Sequence, residues 1–202
     1  MRKLIHGCFA LALILMFSSS AECKEYTTYM SGNAGLAMLQ DADLADSAQP
    51  GTRFKYEYNP GYFIGLAFGH QVDNTRYEVE LGYQKNKVDT LRVNGVSTTL
   101  SNDQEIRLVT VMFNLYYDFL NRSAFTPYLC GGLGLGNVKI DGASKGDAVG
   151  AYQYGAGVAY QITERVVLDL KVRHLETTDA KFDTSNLDFS TNNAIFDVRV
   201  YF

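Results

Sequence analysis

The chain has 202 residues, a formal net charge of −4 and a sequence pI of about 5.3. That length suffices for one domain with a sizeable core, the ordinary apolar content excludes a disordered chain, and the lack of a basic stripe excludes a nucleic-acid partner. The 18 glycines and 14 tyrosines, against 3 prolines and no tryptophan, suit strands and tight turns better than long helices.

The first residues carry an export pattern. Arg2 and Lys3 precede an apolar run from Leu4 to Phe17, and Ser18 to Cys23 offers small residues for cleavage. The run is shorter than the roughly 20 residues that a membrane-spanning helix needs. The expectation is a signal peptide of residues 1–21, with a cut after Cys23 as the alternative, followed by a single domain over 22–202. Ser20-Ala21-Glu22 ahead of Cys23 fits a lipoprotein signal badly. Cys8 leaves with the leader, so Cys130 and Cys23 cannot build a disulfide framework. No later segment is apolar for long enough to span a membrane as a helix.

The mature chain alternates with the two-residue period of strands. From Tyr26 to Leu39, Met30, Ala34, Leu36 and Met38 oppose Tyr29, Ser31, Asn33 and Gly35. A long polar segment, 40–60, follows. In the second strand, Tyr62, Ile64, Leu66 and Phe68 oppose Phe63, Gly65, Ala67 and Gly69, and Asp73-Asn74 makes a tight turn. The third, Arg76 to Gln84, sets Tyr77, Val79, Leu81 and Tyr83 against Arg76, Glu78 and Glu80. After a polar segment, 85–103, the fourth runs from Glu105 to Phe119, with Val109, Val111, Phe113, Leu115 and Tyr117 against Thr110, Met112, Asn114, Tyr116 and Asp118.

Asn121-Arg122-Ser123 is a short turn into a glycine-rich fifth strand, Thr126 to Asn137, where Leu129, Leu133 and Leu135 oppose Cys130, Gly132 and Gly134. Segment 139–148 leads to a sixth, with Tyr152, Tyr154, Ala156, Val158 and Tyr160 on one face. A turn at Gln161 to Glu164 precedes the seventh, where Val166, Leu168, Leu170 and Val172 oppose Asp169, Lys171 and Arg173. Segment 176–191 returns to the last strand, where Ala194, Phe196, Val198, Val200 and Phe202 oppose Ile195, Asp197, Arg199 and Tyr201.

Eight strands result, and the segments between them alternate long and short. With the amino end in the periplasm, every long loop lies outside and every short turn inside, as outer-membrane barrels require. Phe68, Phe119, Tyr160 and Phe202 then form an inner aromatic girdle, and Tyr62, Tyr83 and Tyr152 an outer one. An open sheet edge in hydrocarbon would leave unpaired amides costing several kcal/mol each, so the sheet must close. The fold class is all-β, an eight-stranded antiparallel up-and-down transmembrane β-barrel in the bacterial outer membrane, in contact with its lipid. A soluble lipocalin-type barrel would need the opposite polarity, apolar inside and charged outside.

Tyr29-Met30-Ser31-Gly32, Pro127-Tyr128-Leu129 with the glycines after it, Gly155-Ala156-Gly157-Val158 and the ending from Val198 to Phe202 carry a resemblance. The chain resembles the eight-stranded OmpA/OmpX-like barrels of Gram-negative bacteria, most nearly the surface-antigen or opacity-type family. The resemblance covers essentially the whole mature chain. It implies that Phe196, Val198, Val200 and Phe202 form the signal read by the barrel-assembly machinery, and it implies no peptidoglycan-binding domain.

Side chains largely fill the interior of an eight-stranded barrel, so a general diffusion pore is not expected. The inward faces supply Glu78, Glu80, Asp118, Asp169 and Asp197 against Arg76, Lys171, Arg173 and Arg199, and buried charges must be paired. These nine residues are expected to form a lumenal ion-pair network, with Asp197 and Arg199 facing Lys171, Arg173 and Asp169. The inward glycines of the fifth and sixth strands are expected to leave room for Tyr116, Lys171 or Arg173 to cross the lumen.

His70 and His174 lie at opposite ends of the apolar band, so they cannot share a metal. His174, with Glu176, Asp179 and Ser185 nearby, reads as a rim residue before it reads as part of a hydrolase. Asp141 to Asp147 lacks the alternating oxygen ligands of a calcium loop. No cofactor and no catalytic residue is expected. The leading function is a structural and interaction role, in envelope integrity and as a surface antigen or adhesin, through four outer loops that contact host surface molecules or antibodies. A narrow ion or water channel is the alternative, and a barrel hydrolase ranks third.

Overall fold

Alternation of apolar and polar residues forces each strand to turn one face to hydrocarbon and the other to the interior, and the chain does so eight times around a closed ring. The computed structural model describes residues 27–40, 42–45, 53–93, 96–99, 105–140, 146–178, 180–182, 185–187 and 189–202. The segment expected to be a signal peptide, with Cys8 and Cys23, the segment from Asp141 to Lys145, and Asp179 lie outside the described residues.

The strands in chain order are β1 (Thr28–Leu39), β2 (Ala42–Ala45), β3 (Arg53–Val72), β4 (Thr75–Val93), β5 (Val96–Thr99) and β6 (Glu105–Asp118). There follow β7 (Phe125–Ile140), β8 (Asp147–Gln161), β9 (Val166–Thr177), β10 (Ala180–Phe182), β11 (Ser185–Leu187) and β12 (Ser190–Tyr201). The ring runs β1-β3-β4-β6-β7-β8-β9-β12, every pair antiparallel, and β12 closes it by pairing back onto β1 with Met30 opposite Val200 and Gly32 opposite Val198. No spanning strand is left with an open edge, which meets the demand that hydrocarbon makes on backbone amides.

The outward face is apolar. Leu133 is 71% exposed, Leu66 64%, Val172 63% and Leu170 60%, within a continuous belt that would be untenable in water. The inward face is buried and polar, with Arg76, Glu78, Glu80, Asn114, Lys171 and Arg173 almost fully covered. That polarity rules out the lipocalin-type alternative. Aromatic pairs mark the two ends of the belt: Phe68 with Phe202 (6.3 Å between centroids) and Phe125 with Tyr160 (4.8 Å) at the periplasmic end, and Tyr62 with Tyr83 (6.1 Å) at the outer end.

The periplasmic turns are short and locally hydrogen-bonded. Asp73, between β3 and β4, takes a left-handed φ of 49°, which aspartate tolerates. The Asn121 side chain accepts from the Ser123 amide at 2.7 Å, an Asx turn, and the Thr163 hydroxyl accepts from the Val166 amide at 3.0 Å.

The outer segments depart from the expectation of loops. Segments 40–60 and 85–103 contain β2, β5 and the outer halves of β3 and β4, which remain paired from Phe54 opposite Val93 onward through two register shifts. β3 has 20 residues and β4 has 19, about twice the 9–11 that the hydrocarbon requires. Segment 176–191 likewise contains the β10–β11 hairpin, and β7 runs on to Ile140. Above the bilayer neither face need be apolar, so pairing persists after the two-residue period has faded from the sequence.

Candidate functional site

The interior is built in layers along the barrel axis. At the periplasmic end the Arg76 guanidinium binds both oxygens of Asp118 on the neighbouring strand (2.8–3.1 Å), and Arg199 binds Asp169 in the same way (2.7 and 3.1 Å). Four tyrosines enclose these pairs. The Arg76 guanidinium lies 4.3 Å from the Tyr116 ring centroid and 4.7 Å from that of Tyr128, while Arg199 lies 5.5 Å from Tyr29 and 5.6 Å from Tyr201. Below this layer a vestibule of about 690 Å³ opens toward the periplasm, lined among others by Gln71, Asp73, Gln161 and Arg199.

The middle layer spans the lumen. Glu80 on β4 accepts from Arg173 Nη1 at 2.6 Å and lies 3.8 Å from Lys171 Nζ, both on β9, which is the strand diametrically opposite in the ring. Lys171 also lies 3.6 Å from Asp197, and the Arg173 guanidinium stacks 4.2 Å from the Phe63 ring centroid. Glu78 is held differently: the Tyr29 and Tyr116 hydroxyls donate to its two oxygens at 3.0 and 2.9 Å, and the Asn114 amide adds a third bond at 3.3 Å.

Toward the outside, Gln84, Asn86, Thr191 and Asn193 form an uncharged hydrogen-bonded tier. An apolar cluster of Ile106, Leu108, Val138, Val149, Leu175 and Phe189 then caps the outer mouth.

The nine charges named from the sequence therefore all face the lumen, and eight of them have an oppositely charged partner within 4 Å. Two details differ from expectation. Arg173 pairs with Glu80, across the barrel, and Glu78 is satisfied by tyrosine hydroxyls and an amide. Tyr116 is named from the sequence as a side chain that could cross the lumen; Tyr29, Tyr128, Tyr201, Phe63, Asn33 and Asn114 were not singled out. Their signal was an inward ring or amide facing an inward glycine on a neighbouring strand: a Cβ at Gly157 would meet the Tyr128 hydroxyl at 2.5 Å, and one at Gly132 would meet the Asn114 side chain. The room made by the glycines of β7 and β8 is thus taken largely by Tyr128, Asn114 and Met112.

Phe196, Val198, Val200 and Phe202, the residues expected to form an assembly signal, face outward, and Phe202 docks its amide on the Thr28 carbonyl at 2.9 Å beside the closing seam.

His70 hydrogen-bonds Thr28 near the periplasmic end (3.2 Å). His174 faces outward near the outer end, with Nδ1 2.9 Å from Asn192 Oδ1, Nε2 3.4 Å from Ser190 Oγ, and the Tyr154 ring 5.2 Å away. Glu176, named beside it from the sequence, lies 3.6 Å from Nε2, while Asp179 and the Ser185 side chain lie outside what the structure describes. Among the described residues no group of three His, Cys, Asp or Glu is arranged to hold a metal, and no helix is long and apolar enough to cross a membrane.

A closed ring of strands with hydrocarbon-compatible side chains outside and paired charges inside defines a protein that crosses a membrane as a β-barrel. The profile of the outer membrane protein beta-barrel domain matches residues 9–202, and the chain belongs to that family. It is a protein of the bacterial outer membrane. It is similar to the outer membrane protein PagN of Salmonella typhimurium, with 26% identity over 195 residues, covering 82% of this chain and 80% of PagN. Among solved structures it resembles Neisserial surface protein A (TM-score 0.62, 18% identity, 87% of this chain and 97% of the other). It also resembles OprG of Pseudomonas aeruginosa (TM-score 0.51, 16% identity, 87% and 93%). These structural likenesses concern the fold alone.

Proposed function

We propose that the chain is a non-conducting, non-enzymatic surface barrel that acts through its outer segments, as an adhesin or surface antigen, and contributes to envelope integrity. The observation that carries this reading is the Glu80 bridge to Lys171 and Arg173, which ties opposite walls together at 2.6 and 3.8 Å and leaves the middle of the lumen occupied by paired side chains. A bridged lumen makes a rigid pedestal, and the long β3–β4 hairpin lifts chain away from the bilayer, where binding segments on rigid scaffolds are usually placed. The nine lumenal charges act as a stabilising plug in this reading, and Phe196, Val198, Val200 and Phe202 as the signal for the barrel-assembly machinery. Against a hydrolase stands the setting of His174: Ser190 and Thr191 both lie in strand ladders, so their amides serve pairing and are not grouped to receive an oxyanion.

The test replaces each outer segment in turn (40–60, 85–103, 139–148 and 176–191) with a short turn and measures binding of intact bacteria to host cells, extracellular matrix and antisera. Loss of binding on replacement of one or two segments, with unchanged barrel level, supports the reading. Unchanged binding in all four variants overturns it. The channel alternative is separated by planar-bilayer conductance, which this reading expects to stay at baseline.

A further inference from the structure

We propose that the outward arc of β4, β6 and β7, just above the outer tyrosine girdle, is a binding site for the phosphorylated headgroup of an outer-leaflet glycolipid. This goes beyond the reading of the outer segments and does not depend on it.

The inference starts from where the cations are. Among the residues whose side chains are described, Arg76, Lys171, Arg173 and Arg199 face the lumen, and Arg122 and Arg165 lie in periplasmic turns. Every other described lysine or arginine, namely Lys85, Lys87, Arg107 and Lys139, faces outward on three consecutive strands. The register places them together. Lys85 pairs with Arg107 and Arg107 with Lys139, so three cations form one row across the strands, while Lys87 stands two residues higher beside Glu105. With strands about 4.8 Å apart the row is roughly 10 Å wide, which matches a headgroup bearing more than one phosphate.

A row of like charges repels itself, and the chain offsets this locally. Glu105 binds Lys85 Nζ at 2.6 Å and Arg107 Nη2 at 2.8 Å, fixing the spacing of two cations. Among the described side chains the arc thus holds four cations and one carboxylate. The face of β9 at the corresponding end carries Glu176 and His174 instead, so the described side chains differ in charge between the two sides of the barrel at this level.

Position argues for a lipid in preference to a soluble anion. One step toward the midplane from the row lie Tyr83, Val109 and Asn137, with Tyr62 beside Lys85, and the Tyr62–Tyr83 ring pair marks the headgroup level. Below them Leu81, Val111 and Leu135 continue the same three strands as an exposed apolar track. Phosphates on the cations and acyl chains on the track can therefore be met by one molecule, with the Arg107 guanidinium chemically suited to phosphate.

The experiment is native mass spectrometry of the folded barrel in detergent, titrated with bisphosphorylated lipid A, with the same lipid stripped of its phosphates, and with inorganic phosphate as competitor. The comparison is wild type against a Lys87→Gln, Arg107→Gln, Lys139→Gln triple variant, with Arg122→Gln, Arg165→Gln as a control of similar charge change. Heat-modifiable gel migration verifies that each variant is folded. A basic residue near an anionic lipid surface contributes about fivefold in affinity, so the triple variant should bind the bisphosphorylated lipid roughly a hundredfold more weakly. The control should match wild type, the stripped lipid should bind wild type and triple variant alike, and millimolar phosphate should compete poorly. Equal wild-type affinity for the two lipids, or an unchanged triple variant that is folded, overturns the site. Efficient competition by inorganic phosphate overturns the lipid and leaves a plain anion site.

Discussion

Replacing Glu80 by glutamine keeps the shape of the side chain and removes the one charge that reaches both Lys171 and Arg173. Glu80 is completely buried, its carboxylate accepts from Arg173 at 2.6 Å and from Asn33 at 3.3 Å, and Lys171 lies 3.8 Å away. The amide can still accept from one donor, so packing and part of the hydrogen bonding survive. Lost is the compensation of two buried cations, of which Lys171 keeps Asp197 at 3.6 Å while Arg173 keeps the ring of Phe63. Removing one partner of a buried pair costs about 3–5 kcal/mol, against a total stability of about 5–15 kcal/mol. With a urea dependence of about 1–3 kcal/mol per molar, the midpoint should fall by about 1–3 M. The chain has no tryptophan, so unfolding in lipid or detergent is followed by circular dichroism and by heat-modifiable gel migration. The double variant Glu80→Gln, Arg173→Gln should recover part of the loss, because it no longer strands a guanidinium. A fall of less than about 1 kcal/mol, or strict additivity in the double variant, would refute the claim that this bridge holds the two walls together.

Other outcomes follow from the same geometry. Gly134→Leu puts a Cβ against the Val111 carbonyl and 2.6 Å from the Met112 sulfur, so it should abolish the folded band on unheated gels; a normal shift would count against the packing. Leu170→Arg, on the exposed belt between the girdles, should destabilise the barrel by about 2–4 kcal/mol in lipid, measured by urea titration in liposomes, whereas a neutral result would remove the lipid assignment of that face. Deleting Phe202 should lower the assembled outer-membrane level more than it lowers synthesis, read by fractionation against pulse labelling; equal ratios would deny it a signal role. Glu80→Ala with Arg173→Ala should raise planar-bilayer conductance above the wild-type baseline if that bridge blocks a path, and a wild type that already conducts would favour the channel alternative.

The facing of every spanning strand was legible in the sequence because hydrocarbon enforces it: an arginine or lysine on the outer face of β6 or β9 at the bilayer midplane would cost about 2–4 kcal/mol. The neighbours Arg76–Asp118 and Arg199–Asp169 were within reach of the same reasoning, since adjacent strands bring their inward residues together. Glu80–Arg173 was not, because the two are 93 residues apart and their level depends on the stagger with which the ring closes, which no local pattern records. Nor could composition tell that Glu78 would be answered by Tyr29 and Tyr116, since a tyrosine on the inward face looks like bulk until its hydroxyl is placed. The outer halves of β3 and β4 were missed for the opposite reason. In water either face of a strand can be polar, so the chain is free to keep its hydrogen bonds while abandoning the alternation by which they could have been recognised.

The same parity that hides charge in the lumen also accounts for the arc of cations outside it. Moving one residue along a strand changes a side chain's surroundings from interior to lipid, so an outward lysine is tolerable only where the hydrocarbon ends. Lys85 sits at that limit, with Tyr83 two residues below it on the same face and Lys87 two residues above. Among the described side chains the outward cations stand on three neighbouring strands, two of them bound by Glu105 at 2.6 and 2.8 Å, an arrangement whose mutual repulsion a phosphate would relieve. The lumen, by contrast, answers its four cations internally, through Asp118, Asp169, Glu80 and Asp197. Binding chemistry is therefore to be sought on the outside of this barrel, at its outer rim and above.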